Sequence, residues 1–400
     1  MHKKYFAPII LVAIFFITFF KQFAFAADDV SNLQSQINAR KTQIETLQKQ
    51  ISETTKALQG KQKEKASLEN QLELITGRLD KARLDLSATQ AKLEQTTLEK
   101  QQTEKKIDAK RQEIDDQQVQ VSELLRSLDF TERQSIVSIF ASGKTLSDFF
   151  SMQDAVHAVD TQLTRALIKV LLAKQELDVQ KTQLVTTEQT LASVKNTLIA
   201  KQDQLKNQSN AKAQLLLQTK QSEGKYQKLV ADLKKQYSTT ENEIQSIEKQ
   251  INAQLKNKGK VIPTGAVQLT WPVPSHIVTA LFHDPDYPFR NIFEHPAIDI
   301  HAGQGTQVRA AGNGIVGRAK NAGMGYSYIL IVHNNKISTV YGHISRILVA
   351  EDQTVNAGDV IGLSGGTPGT PGAGPFVTGP HLHFEVRLNG IPVNPLDYLP

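Results

Sequence analysis

Cysteine is absent from the 400 residues. That excludes disulfide bracing and cysteine catalysis, and it leaves histidine and aspartate as the available metal chemistry. Proline is scarce where it matters. Of 14 prolines, one is Pro8 and the rest lie from Pro263 onward. A proline costs about 3 kcal/mol inside a helix, so the gap over residues 9–262 predicts extended helix. The last helix should end near Lys260, after Gly259 and before Pro263. A large charge excess is also missing. The 46 Lys/Arg and 40 Asp/Glu leave a net charge of +6. Residues 263–400 hold seven Lys/Arg against nine Asp/Glu, a balance of −2, so the positive excess belongs to the helical part. A modestly basic rod favours an anionic wall polymer or a membrane surface. Its charges are dispersed along helix faces, which reads first as a solvated surface. No nucleic-acid motif appears, and no nucleic-acid partner is expected.

What the helical part does contain is a seven-residue period. Counting by sevens from Val30 to Val121, twelve of fourteen positions are apolar, Lys65 and Lys100 being the exceptions. The partner row is looser, with Arg40 and Lys61 among its members. This is a left-handed coiled-coil stripe with a weak second row, about 140 Å long at 1.5 Å per residue. A second series runs from Leu163 through Val170, Leu177, Leu184, Leu191 and Leu198 to Leu205. It falters around Ala211–Gly224 and resumes as Val230, Tyr237, Ile244 and Ile251. The two stripes can pair antiparallel within one chain or between chains. The intervening segment, about 124–159, is richer in aromatics and contains Phe130, Phe140, Phe149 and Phe150. It reads as the hydrophobic tip of a helical hairpin, and as a docking patch for a partner.

The N-terminus has the parts of a secretory signal: Lys3 and Lys4, an apolar run from Tyr5 to Phe20, and Ala24-Phe25-Ala26. Cleavage is expected after Ala26, giving export to the periplasm, cell envelope or exterior. An uncleaved anchor is the alternative. The expected layout is a signal peptide at 1–26, a coiled-coil region at 27–262 and a separate domain at 263–400. The last segment should be mostly antiparallel β. Alternating runs at Ser327–His333, Lys336–Tyr341 and His383–Leu388 read as strands, with Asn334-Asn335 as a turn. The fold class is therefore α + β and multidomain.

Seven of the ten histidines lie after residue 282. Five residues stand out: His295, Asp299, His343, His381 and His383. A mononuclear zinc site needs about three protein ligands and an open position. Hydrolysis then needs a general base and a group that stabilises the oxyanion. His381 and His383 are two apart, so a strand aims both to one face. His283 and His333 read as surface or loop residues. His301, two residues after Asp299, would share its face on a strand; it reads first as no part of the site, with a supporting group or an extra ligand as the minor alternative.

These motifs resemble the LytM/lysostaphin-type zinc metallopeptidases, which cut peptide cross-links of bacterial peptidoglycan. The matching segments are His295-x-x-x-Asp299, Gly305-Thr306-x-Val308-x-Ala310, Gly314-x-Val316, Tyr341-Gly342-His343, Gly358-Asp359-x-Ile361-Gly362 and Gly379-Pro380-His381-Leu382-His383-Phe384-Glu385. The resemblance covers about Trp271 to Pro400. It implies one Zn²⁺ held by His295, Asp299 and His383, with His343 and His381 as the catalytic pair beside the water on the metal. Which of the pair is the base stays open. Two departures stand out. Ala297 replaces the family's usual glycine. The Gly- and Pro-rich loop from Gly365 to Pro375 is longer than usual, and reads equally as a tolerated insertion or as a flexible groove wall.

The whole layout is similar to EnvC and related division-associated wall hydrolases. That similarity implies a coiled coil that localises or regulates the enzyme in wall remodelling and daughter-cell separation, through a division-complex or membrane partner. EnvC-like activators have lost their zinc ligands and switch on a separate amidase. This sequence keeps all five positions, so the expected activity is that of a zinc metalloendopeptidase on peptidoglycan, with the non-catalytic activator as the alternative.

Overall fold

The computed structural model describes residues 9–62, 67–132, 146–258, 269–334, 336–375 and 377–400. Four helices and eleven strands are found among them: α1 (Ile9–Lys61), α2 (Leu68–Glu132), α3 (Leu146–Thr219) and α4 (Glu223–Lys258), then β1 to β11 between Val278 and Val393. No described helix is long and apolar enough to cross a membrane. The expected cleavage site falls within the span of α1, and residues 133–145 of the expected aromatic tip lie outside the described residues.

The first apolar stripe is not one helix, contrary to expectation. It breaks between Lys61 and Leu68, without a proline. The break falls in the polar run Gly60-Lys-Gln-Lys-Glu-Lys65, where the stripe itself is interrupted by Lys65. Ser67 then caps α2, its Oγ accepting from the Asn70 N–H at 3.2 Å. The Leu68 N–H donates to Glu223 Oε2 at 2.8 Å, which ties this start to the start of α4.

The chain divides into two compact units. The first comprises residues 1–43 and 91–194. Within it α2 and α3 run antiparallel, as the ion pairs Lys100–Glu188 and Lys110–Glu176 require. Ile107 and Ile114 of α2 are buried against Ala173 and Leu177 of α3. These are stripe positions of the sequence, apart from Ala173.

The second unit comprises residues 44–90 and 195–400. Its larger sheet has the order β1 (Val278–Ala280), β2 (Ile298–His301), β10 (His381–Leu388), β6 (Ile337–Gly342), β5 (Tyr328–Val332), β4 (Gly314–Lys320), β8 (Thr354–Val355), with β11 (Ile391–Val393) paired to β10. The strands nearest the candidate site are β2 (Ile298–His301), β5 (Tyr328–Val332), β6 (Ile337–Gly342) and β10 (His381–Leu388). A second sheet joins β3 (Gln307–Arg309), β9 (Val360–Ser364) and β7 (Ile344–Ile347). The two-residue period of a strand divides the large sheet cleanly. Ile298, Ile300, Ile329, Ile331, Leu382, Phe384 and Val386 face a closed apolar core. The alternate residues face the other way. There α4 covers Tyr328, Leu330 and Val340 with Ile244 and Ile247. The fit is close at Gly317, where a Cβ would lie 2.8 Å from Ile251 Cδ1. A helix assigned by sequence to the coiled coil thus covers one face of the sheet.

His333 corrects an expectation. It is buried, with Nδ1 2.8 Å from the Asn313 carbonyl and Nε2 2.8 Å from Thr339 Oγ1. Burial pushes its pKa down to about 4, the Asn313 carbonyl opposing only in part. In the unfolded chain the imidazole titrates near 6.5. The unfolded state therefore binds more protons between pH 6.5 and 4. Stability present above pH 6.5 should fall by about 3 kcal/mol as the pH drops to 4. Thermal melts across that range check this, because His333→Gln should remove that part of the acid loss.

Candidate metal centre

The site is built on the same face of the large sheet that α4 covers, at the end of β10 that the helix does not reach. Asp299 of β2 and His383 of β10 are direct cross-strand partners, so their side chains rise side by side. On the other flank His383 pairs with Gly342 of β6. His295 comes from the turn that leads into β2 and completes a triangle. His295 Nε2 lies 3.2 Å from Asp299 Oδ1 and 3.3 Å from His383 Nδ1. The third side, His383 Nδ1 to Asp299 Oδ1, is 3.1 Å. Tetrahedral ligands at zinc bond lengths of about 2.05 Å are about 3.3 Å apart. These three atoms therefore fit one small cation, and the three residues form the group that could hold a metal ion among the described residues.

Outer partners set the ligand atoms. His295 Nδ1 is 2.8 Å from the Leu281 carbonyl, so Nδ1 carries the proton and Nε2 keeps its lone pair. Tyr287 stacks on the same imidazole at 4.4 Å. His383 turns its Nε2 towards Glu385 Oε1 at 3.4 Å, which frees Nδ1 for the centre. Burial opposes the charge on Asp299. The imidazoles of His381 and His295, and the hydrogen bonds from His295 and His383, overcome it and hold the carboxyl well below the usual range. Burial would likewise lower the His383 pKa, but Asp299 and Glu385 raise it to about 9 in the metal-free protein.

The other two histidines stand beside the triangle. His343 and His381 meet edge to face at 4.7 Å. Each gives its Nδ1 proton to a backbone carbonyl, Ala373 at 2.9 Å and Gly379 at 2.7 Å. Both therefore present an unprotonated Nε2. His381 Nε2 lies 3.4 Å from Asp299 Oδ1. Burial lowers the pKa of both rings, so they are neutral at pH 7. His343 holds a positive φ of 55°, a conformation that costs a β-carbon residue free energy and recurs at functional sites. Its carbonyl anchor, Ala373, belongs to the Gly365–Pro375 loop, which thereby forms part of the wall.

Sequence reading missed Tyr326. Its ring meets His343 at 5.1 Å and His383 at 6.1 Å, both edge to face. It passes over Gly342, where any Cβ would collide with the hydroxyl. Burial raises its pKa well above the usual value, so it keeps its proton as a donor. The only sequence signal was an aromatic residue two positions before β5. The remaining histidines lie apart: His301 pairs with Asp203 of α3 rather than joining the triangle, and His283 is half exposed against Glu294.

The same unit brings α3 over the site. Gln204, Asn207 and Gln208 line a small cleft with Asp299, Tyr287 and Thr378. Gln208 Nε2 donates to the Asp286 carbonyl and Asn210 Nδ2 to the Thr378 carbonyl, both at 2.5 Å. Gln218 Nε2 donates to Pro375 O at 2.8 Å. Asp203, Asn207 and Asn210 recur at helical spacing and so share one face of α3.

Residues 293–395 match the family described as Peptidase family M23. The C-terminal region is an M23 peptidase domain. Over 103 residues, 26% of the chain, it is 42% identical to the DD-carboxypeptidase/endopeptidase Mpg of Neisseria meningitidis, covering 22% of that protein. Over 105 residues, also 26% of the chain, it is 39% identical to the peptidoglycan DD-endopeptidase ShyA of Vibrio cholerae, covering 23% of that protein. A solved zinc-containing peptidase from Vibrio cholerae is 31% identical over 31% of this chain and 37% of that one, with a TM-score of 0.27. The chain spans about a fifth of the length of the curated relatives it matches first. The candidate metal ligands and both neutral imidazoles lie inside the M23 match.

Proposed function

We propose that this chain is an exported zinc metalloendopeptidase that hydrolyses peptide cross-links of peptidoglycan. The observation that carries this reading is the triangle of His295, Asp299 and His383, with two further imidazoles presenting free Nε2 atoms beside it. An activator that only docks a separate enzyme has no use for that set. The M23 match and its endopeptidase relatives support the substrate class. We assign one metal per domain to His295 Nε2, Asp299 Oδ1 and His383 Nδ1. When bound, zinc would polarise the scissile carbonyl and bring the pKa of its water to about 7. His381 Nε2 accepts the proton of the attacking water and returns it to the leaving amine. His343 Nε2 orients the water. Tyr326, protonated and edge to face with His343, would donate to the developing oxyanion.

The helical region localises or regulates this activity in cell-wall remodelling and daughter-cell separation. The groove cover by α3 supports a latent state, relieved when a division-complex or membrane partner draws α3 away. Paired substitution of Asp203 and Asn210 by alanine should then raise peptidoglycan solubilisation by the full-length chain severalfold. Equal or lower release from a folded double variant would remove the cover from the proposal.

The bond class is tested by mass spectrometry of fragments released from purified peptidoglycan. New peptide amino and carboxyl termini, abolished by a chelator, are expected. Release of intact stem peptides from the sugar, seen only when an amidase is added, would instead establish the activator.

A further inference from the structure

Strand β10 carries a row of side chains that reaches away from the metal centre. The two-residue period puts His381, His383, Glu385 and Arg387 on one face. From His383 onward, each is linked to the next. His383 Nε2 faces Glu385 Oε1 at 3.4 Å. Glu385 Oε2 accepts from Arg387 Nη1 at 2.7 Å. The same guanidinium forms a forked pair with Glu241 of α4, at 2.9 and 3.1 Å. Its Nη2 also donates to the Gly390 carbonyl at 2.9 Å. Glu248, one helical repeat further along α4, approaches Arg387 Nε at 3.5 Å and accepts from Ser338 Oγ. The Arg387 side chain is wholly buried.

We propose that Glu385, Arg387 and Glu241 are positioning residues for the metal ligand His383, so that the docked helix α4 is a working part of the peptidase site. This rests on the reading of His383 as a ligand. A carboxylate on the far nitrogen of a ligating imidazole fixes its tautomer and ring angle and makes it a better donor. Glu385 occupies that position. It is held there by Arg387, whose second face must be satisfied by another anion because the group is buried. Glu241 is that anion, and it comes from α4 rather than from the M23 match. The sheet alone presents Arg387 and the apolar residues Leu330 and Val340 without cover. Burial of α4 therefore does two things at once: it closes the sheet face and it locks Glu385 against His383.

The test is zinc affinity of the full-length chain, measured by competition with a chromophoric chelator, together with the cobalt(II) absorption spectrum of the same proteins. Glu385→Gln should weaken zinc about 10–100-fold, the usual effect of losing such a partner, and shift the cobalt bands. Glu241→Gln should act in the same direction by several-fold. Ile247→Ala, which loosens α4 without touching the row, should lower the melting temperature and leave zinc affinity and the cobalt bands unchanged. Circular dichroism establishes that each variant is folded. Wild-type affinity in both glutamate variants would overturn the proposal. So would an Ile247→Ala protein that loses zinc as strongly as Glu241→Gln, since that would reduce the row to packing. A wild-type chain that takes up no zinc would overturn the assignment of the metal centre itself, a result distinct from the other two.

Discussion

Replacing His383 with alanine should strip the purified chain of zinc, from about one ion per molecule to background, and reduce peptidoglycan hydrolysis to the uncatalysed level. His383 Nδ1 closes two sides of the ligand triangle, at 3.1 Å to Asp299 Oδ1 and 3.3 Å to His295 Nε2. Without it, two ligand atoms remain, below the usual three of a catalytic zinc site. The effect must exceed the roughly 10–100-fold weakening expected when only an outer partner is lost. Metal analysis after gel filtration checks it. Near-stoichiometric zinc in a folded His383→Ala protein would place the ion elsewhere.

The matching substitution one pleat away should behave differently. His381→Ala should keep about one zinc and lose turnover by about 10²–10⁴-fold, the usual contribution of a positioned acid–base group. His381 shares the strand face of His383, yet its Nδ1 proton is committed to the Gly379 carbonyl and its Nε2 stands beside Asp299 Oδ1 rather than closing the triangle. Burial keeps it neutral, which is the state a base requires. Zinc content and initial rate measured on one preparation separate the two roles. Full turnover by folded His381→Ala would reassign the proton transfer.

The contrast between these histidines shows what sequence could convey. Two-residue spacing put His381 and His383 on one face, and that face is the one observed. The spacing could not divide their roles, because the division depends on which carbonyl or carboxylate meets each far nitrogen. Asp299 was legible as a partner of His295 by motif, but its register opposite His383 is a long-range pairing. Tyr326 was invisible because its role depends on the open space over Gly342, a property of a neighbouring strand. His333 misled for the same reason: its position before a turn suggested exposure, whereas Asn313 and Thr339 enclose it.

The helices show a parallel limit. The seven-residue period located the buried stripe, including Ile107, Ile114 and Leu177. It carried no sign that α1 would stop at Lys61, since a break in a polar run costs the stripe one position only. Nor could it separate a helix facing another helix from one facing a sheet. Ile244 and Ile251 continue the heptad pattern, yet Ile244 packs on Tyr328, Leu330 and Val340, and Ile251 meets Gly317. The amides of α3 that cross the groove lie off the stripe, where composition reads them as solvated surface.

The decisive measurement is an anomalous difference map, recorded at the zinc edge from crystals of the full-length chain. One peak within about 2.0–2.2 Å of His295 Nε2, Asp299 Oδ1 and His383 Nδ1 is the predicted result. A zinc peak bonded to other residues, or none at this triangle in zinc-supplemented crystals, would contradict it.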